Sequence, residues 1–478
     1  MQTTLIVLAV ALLTLGAALV IAPRTIQLGP ATTGDAALAE QVRRLVGDPH
    51  GYQTLSVTVI TKDTIRHAGL GEMDGRTPTK DTPFELGSIT KTYDGLLLAD
   101  AITRGEVRAE DELATHLPEL AGSPIGGVTL AELSSHRGGV PPLPPSVILR
   151  AIPGMIANTN PYAMDYPTLM AEVAKLELMK TRGTMAYSNL GASLLGHGLA
   201  AAAGEPDWRS YVTKRLLTPL GMTHTTFAAV PDQIPEGALV GLSENARRLR
   251  PWTSDAFAPA GAATWTTPVD MATYAQAILT GRAPGLDALT PRWDTGDDTK
   301  FGYAWAVVEV DGHQIVGHDG GTNGYRTFLG INREAGEAVL VASNTNRDVT
   351  SLAVALLTHA DDPISGPGLP IVGLIALGFA VAVGAISAWL LARGTDILGL
   401  IENSSLLLGL VFLARADGPW DQAPGWTWAL LAAGAAAAIT IGVLRRKPTL
   451  IAKGRHWWRW FSTGVAVVFG LGLFAAML

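Results

Sequence analysis

Asp81-Thr-Pro-Phe-Glu-Leu-Gly-Ser-Ile-Thr-Lys91 leads into an apolar run, Leu96, Leu97, Ala101 and Ile102, that ends near Gly105. Those apolar positions recur at helical spacing, which predicts Ser88 at a helix N-terminus. Three positions make nearly one helical turn, so Lys91 comes up beside the Ser88 hydroxyl. A helix N-terminus also supplies free backbone N–H groups and positive potential, which stabilise a developing oxyanion. A serine beside a lysine able to take its proton is an arrangement for covalent catalysis. Alone, Ser-x-x-Lys also describes a capped helix with a surface lysine.

Two further segments favour the chemical reading. Tyr187-Ser-Asn189 lies in Gly183-Thr-Met-Ala-Tyr-Ser-Asn-Leu-Gly-Ala-Ser-Leu-Leu-Gly196, which reads as a loop running into an apolar helix. His318-Asp-Gly320 lies in Val316-Gly-His-Asp-Gly-Gly-Thr-Asn-Gly324, between two strand-like runs, Trp305–Val310 and Val339–Ala342. The order and wide spacing of the three pieces resemble the serine penicillin-recognising hydrolases, in the branch of class C β-lactamases, DD-peptidases, D-aminopeptidases and related esterases.

The resemblance continues between the motifs. Thr129-Leu-Ala-Glu-Leu-Ser-Ser-His-Arg-Gly-Gly-Val-Pro141 is similar to the family's TLRxLLxHTSGLP turn. Leu217-Thr-Pro-Leu-Gly-Met-Thr223 is similar to its PLGMxxT element, and Phe301-Gly-Tyr-Ala-Trp305 to its YGxGW strand. It covers roughly residues 38–360. It implies an α/β (α+β) β-lactamase/transpeptidase-like domain, an antiparallel sheet flanked by helices.

The resemblance implies roles as well. Ser88 would be the nucleophile and Lys91 its base, its pKa lowered by desolvation and a neighbouring cation. Tyr187 would share proton transfer and protonate the leaving group. Asn189 would hydrogen-bond Lys91 and the substrate amide carbonyl. The N–H groups of Ser88 and Gly321 would form the oxyanion hole, with Gly321 on the strand after the third motif. His318, Gly320 and Thr322 would line the substrate. Class C β-lactamases usually carry Lys-Thr-Gly where this chain has His318-Asp-Gly320, whereas peptidases and esterases of the family often carry His-x-Gly. The resemblance therefore leans toward a peptidase or esterase acting on peptide, cell-wall or small ester substrates.

Composition sets outer limits. The chain has 478 residues, 48% hydrophobic and 16% charged, with no cysteine and a net charge of −7. Its mean hydropathy is +0.26, which suggests membrane segments. Without cysteine there are no disulfides and no thiol chemistry. The acidic balance and the lack of a long basic run argue against nucleic-acid partners. His136 and His313 have no metal-ligand spacing, so neither metal nor other cofactor is expected. Nothing in the sequence sets an oligomeric state.

The hydrophobicity is segregated. Residues 1–35 carry an aliphatic segment, Leu5 to Ala22, which reads as a signal peptide or a retained membrane anchor. Residues 36–362 have ordinary surface charge and would form the hydrolase domain. Residues 363–478 begin with a Gly/Pro linker, Pro363–Pro370, and hold four candidate spans near Leu369–Leu391, Ile397–Leu413, Trp426–Leu444 and Phe461–Leu478. Each is close to the roughly 17–25 residues that cross a bilayer core. Arg445, Arg446, Lys447, Lys453, Arg455 and Arg459 follow the third span, whereas the loop before it carries Asp417 and Asp421. Positive charge stays inside, so this pattern puts the basic loop in the cytoplasm and the hydrolase domain outside a bacterial cell membrane. Trp457, Trp458 and Trp460 would then mark the inner interface, and Trp420, Trp426 and Trp428 the outer one. Glu402 would lie at or near bilayer depth, either as a functional group or as a helix–helix contact. The tail is similar in architecture to membrane-bound peptidases of the colibactin-maturing type, which remove an N-acylated D-amino-acid cap. Two readings from other classes remain, a penicillin-binding sensor and a transport or scaffold protein with an inert domain.

Overall fold

The computed structural model describes residues 2–478 apart from 244, 245, 297, 365, 367–370, 421, 422, 448, 450–455 and 476–478. Among them, nine strands form one antiparallel sheet, in the order β1 (Thr32–Gly34), β3 (Ile65–Gly71), β2 (Thr54–Thr61), β12 (Glu337–Ser343), β11 (Arg326–Asn332), β10 (His313–Gly321), β9 (Ala306–Val310), β8 (Lys300–Phe301) and β7 (Trp293–Asp294). A smaller sheet pairs β4 (Phe84–Glu85) and β5 (Thr226–Phe227) with β6 (Thr264–Thr266).

Alternation along the strands builds two cores, because successive side chains of a strand face opposite ways. On β12, Val339 and Val341 join a cluster with α2 (Ala36–Val46) and α7 (Thr350–Leu357). Ala338, Leu340 and Ala342 join the larger cluster on the other face, with α3 (Lys91–Thr103), α5 (Asn189–Ala202) and α6 (Pro268–Leu279). The antiparallel sheet flanked by helices is therefore as expected. Leading into α4 (Pro145–Ala157), the carbonyls of Pro141 and Pro142 accept from Ser188 Oγ and Leu190 N–H.

Several local expectations need correction. Ser88 does not start the α-helix itself. It lies in a 3₁₀ turn, Gly87–Thr90, that tightens the entry into α3. The His318 motif, expected between two strand-like runs, is itself strand, the second half of β10, and Gly321 ends that same strand rather than lying on the one after it. The Phe301–Trp305 element is a strand only at Phe301 before the chain turns into β9.

The apolar helices α1 (Gln2–Val20), α8 (Ile371–Ala392), α9 (Ile397–Asp417) and α10 (Trp426–Arg445) contain four stretches long and apolar enough to cross a membrane, Gln2–Val20, Gly373–Ala392, Ile397–Ala416 and Trp426–Arg445. The span expected at 461–478 falls on α11 (His456–Ala475), which is not one of the four, and its last three residues lie outside those described. Lys453, Arg455 and Asp421 also lie outside the described residues. Helix α1 packs against α10, and its Ala18 joins Ala380, Leu410, Ala414, Trp428 and Ala429 in one apolar cluster.

Trp420 and Trp428, expected at the outer interface with Trp426, turn inward. Both are buried in the bundle, where their indole N–H groups donate to the carbonyls of Ala414 and Val411. Glu402 lies 3.9 Å from the Arg459 guanidinium, which pairs with Asp396 at 2.7 Å. That contact ties α9 to α11 and gives Glu402 a helix–helix partner.

Candidate active site

Three backbone segments meet at Ser88. Gly87 has φ +62, and a Cβ there would come within 2.8 Å of the Gly321 nitrogen. A Cβ on Gly320 would fall 2.1 Å from Thr327 Oγ1 and 2.4 Å from the Leu86 carbonyl, and one on Gly261 2.1 Å from the Gly87 carbonyl. Only glycine lets the backbones approach so closely. Thr327 Oγ1 locks the approach by donating to the Leu86 carbonyl at 2.8 Å. The backbones of Gly87–Ser88 and Gly320–Gly321 are thereby brought side by side.

Two groups reach the Ser88 hydroxyl. Lys91 Nζ donates to Ser88 Oγ at 2.8 Å and to the Ala260 carbonyl at 2.8 Å. Tyr187 OH also donates to Ser88 Oγ at 2.8 Å. Ser188 positions that tyrosine. It caps α5 by accepting from the Gly191 N–H, donates its hydroxyl to the Pro141 carbonyl, and gives its own N–H to His136 Nδ1 at 3.2 Å.

Burial sets the protonation states. Lys91 is 1% exposed, and desolvation draws its ammonium down to about 7 against the opposing pull of Asp319 and Asp94. The expected neighbouring cation is not the cause; the nearby charges are carboxylates that act the other way. Burial raises the Tyr187 phenol well above its ordinary range. Near neutral pH this pair therefore offers an amine that can accept a proton and a phenol that holds one.

Asn189 does not bond Lys91, which donates to Ser88 and Ala260; its side chain lies instead beside the Tyr162 hydroxyl. His318 is buried, with Nδ1 against the Asp319 carbonyl at 2.6 Å and Nε2 without a hydrogen-bond partner. Burial holds its imidazole below the usual pKa. Gly320 and Gly321 line the Ser88 turn, and Thr322 is buried just beyond them.

Three features had no clear signal in the sequence. The Ala260 carbonyl that holds Lys91 belongs to the backbone, and only the tight Gly261 beside it hints at its place. The His136 ring lies 4.4 Å from that of Tyr187, centroid to centroid. Glu85, three positions before Ser88, is a buried acid that desolvation raises to about 8. Among the described residues no cluster of three or more His, Asp or Glu could hold a metal ion.

The family model described as Beta-lactamase matches residues 38–361. Beta-lactamase-like protein 2 of Dictyostelium discoideum is 25% identical over 62% of this chain and 56% of its own length. A beta-lactamase of Escherichia coli is 27% identical over 48% of this chain and 59% of its own. The chain thus spans little more than half the length of these relatives. Among solved structures, the D-alanine carboxypeptidase AmpC of Burkholderia cenocepacia superposes with a TM-score of 0.57 at 20% identity, over 68% of this chain and 99% of that one. A class C beta-lactamase of Rhodobacter sphaeroides gives 0.56 at 22% identity, over 68% and 99%. At that identity the likeness speaks for the fold.

Proposed function

The chain belongs to the Beta-lactamase family, and on that premise we propose that it is a membrane-anchored hydrolase that works through an acyl-serine intermediate. The observation that carries the reading is the Ser88 hydroxyl held by both Lys91 and Tyr187 at 2.8 Å. Ser88 Oγ attacks a carbonyl carbon while Lys91 Nζ takes its proton. The oxyanion is met by the N–H groups of Ser88 and Gly321. Tyr187, which stays a phenol at neutral pH, protonates the leaving group, and water then releases the acyl group by the reverse proton path. Asn189, His318, Gly320 and Thr322 contact substrate.

A peptidase directed at D-amino-acid peptides, whether in the cell wall or in capped peptide products, is the substrate class we favour. His318 supports it, since it stands where an efficient β-lactamase carries a lysine, with its ring 6.5 Å from that of Tyr187, centroid to centroid. An esterase or weak β-lactamase of the same fold is the second reading, and a penicillin-binding sensor that acylates and signals through its helices is the third. Mass spectrometry of the purified chain with a fluorophosphonate, a penicillin and a panel of D-amino-acid peptides separates them. Turnover of a peptide favours the first, ester or penicillin turnover the second, and a stable adduct without turnover the third.

The same proposal places residues 36–362 outside the cell between a retained N-terminal anchor and the tail of residues 363–478. Packing supports retention of α1. Arg415 Nε donates to the Ile21 carbonyl at 3.0 Å, and a Cβ on Gly425 would meet the Pro23 carbonyl at 1.8 Å. The end of α1 therefore meets the loop between α9 and α10, the side that the charge pattern assigns to the exterior.

A further inference from the structure

Helix α4 borders the candidate site at both ends. Before its first residue, the Pro141 and Pro142 carbonyls accept from Ser188 Oγ and Leu190 N–H, next to Tyr187 and Asn189. After its last, Asn158 donates to the Arg248 carbonyl at 3.0 Å and accepts from the Arg250 N–H at 2.9 Å. The Arg250 carbonyl in turn accepts from Asn323, two positions beyond Gly321, at 2.8 Å. The helix thus runs along the mouth from the Tyr187 wall to the Gly321 wall. Among its described residues two large apolar side chains face outward, Leu149, 76% exposed, and Ile148, 50%. A soluble surface seldom turns such a stripe to water without a partner.

The neighbouring structure indicates that partner. Leu242 pairs with Arg248 to make a hairpin, and near its tip Arg247 lies within electrostatic reach of Arg415. Arg415 is at the end of α9 where the Ile21 carbonyl of α1 also docks. One short hairpin therefore joins the rim of the site to the C-terminal end of α4 and brings Arg247 near Arg415 at the end of α9. Arg150 on α4, which donates to the Ser146 and Ala163 carbonyls, and the exposed Arg250 beyond its end add basic charge near the apolar pair, while Arg248 is paired with Asp74. Apolar residues with basic neighbours are the pattern of a helix that lies in a lipid interface.

We infer that α4 lies in the surface of the bilayer that takes the apolar helices, so that the site opens at the membrane and accepts an amphiphilic acyl substrate. Such a substrate keeps its apolar chain in lipid and presents its ester or amide carbonyl to Ser88. The inference rests on the membrane-anchored reading above, and the test separates the two.

The full chain is reconstituted in nanodiscs of phosphatidylglycerol and phosphatidylcholine. With no native cysteine, single cysteines can carry an environment-sensitive fluorophore, at Leu149→Cys on α4, at Leu430→Cys on α10, and at Asp63→Cys. Asp63 follows the Thr61 end of β2, whereas the hairpin docks at the Thr54 end, where Asn344 accepts from Thr54 and Leu242. Spin-labelled lipid should quench the probes at 149 and 430 and leave the one at 63 bright. Quenching at 430 without quenching at 149 overturns the inference and keeps the anchor; no quenching at either overturns both. Crosslinking of two copies through 149 would assign the stripe to a second chain and also overturn the inference. In turnover, Leu149→Asp should lower kcat/KM for a long-chain acyl ester in vesicles about tenfold or more, the scale of losing one buried leucine contact. A short soluble ester should be turned over within about twofold of wild type, since a surface change far from reacting atoms costs little. Equal loss on both esters would make α4 a structural element only.

Discussion

Tyr187 OH donates to Ser88 Oγ across 2.8 Å, although the two residues stand 99 positions apart in the chain. The contact exists because Ser188, between Tyr187 and α5, is held by three hydrogen bonds, and because glycines let the Ser88 turn sit against β10. If Ser88 is the nucleophile, Ser88→Ala abolishes fluorophosphonate labelling and turnover. Its small side chain makes the expected loss of folding stability minor. Labelling of Ser88→Ala at the wild-type rate, read by intact mass, refutes the assignment.

The two groups on Ser88 act as one proton path. Lys91→Ala and Tyr187→Phe are each expected to lower kcat/KM on the order of 10²–10⁴-fold, the usual worth of a positioned acid or base. The double variant should be little worse than the poorer single, since a broken relay cannot be broken twice. Strict multiplication of the two losses would mean that the residues work independently.

How much of this could be read in the sequence differs residue by residue. Ser88 and Lys91 were legible because their relation is local, nearly one helical turn. Tyr187 was legible only through a family motif, since nothing in its own segment announces Ser88. The strand character of the His318 motif was hidden by Gly317, Gly320 and Gly321, which depress strand propensity yet permit the close backbone approach at Ser88. Asn189 faces Tyr162 rather than Lys91, and no sequence pattern fixes which neighbour a side chain meets in three dimensions. Trp420 and Trp428 read as interfacial because composition locates a span without saying which face packs inward.

The lysine sets the acid limb of the pH profile. With its pKa near 7, Lys91 accepts a proton only above that value, so kcat/KM should fall about tenfold per pH unit below it. Asp319 favours the charged ammonium, so Asp319→Asn should move the limb to lower pH. The Asp319 side chain is 76% exposed, which makes the shift small and larger at low salt. A limb that moves upward would contradict the assignment of Lys91 as base.

Glu85 predicts a pH dependence of stability from the same cause, burial, which shifts an acid in the opposite direction. Burial raises its pKa from 4.5 to about 8, so the folded state holds a proton that the unfolded state has released across that interval. Its contribution is full below 4.5 and is lost as pH rises through about 8. Glu85→Gln, which keeps the shape without the ionisation, should flatten the alkaline fall in Tm. An unchanged alkaline limb would mean that other groups set it.

The side of the membrane on which Ser88 works is the last matter, and it rests on charge rather than on the family. The domain has no membrane-length apolar helix between Thr32 and Leu357 among its described elements, so on the membrane-anchored reading it would lie on one side. By the positive-inside rule the basic residues that follow α10 would mark the cytoplasmic loop, and the chain would return from that loop to the domain through α10, α9 and α8. On the proposed topology, three crossings would place the domain outside, together with the α9–α10 loop that meets the end of α1 at Pro23. The two arguments are independent, since the first counts arginines and the second is a backbone contact. A single cysteine placed in 418–420 should react with a membrane-impermeant maleimide in intact cells. One placed in 446–455 should react only after permeabilisation. The reverse pattern would put Ser88 in the cytoplasm, away from cell-wall and exported peptides, and the proposed substrate class would fall with it.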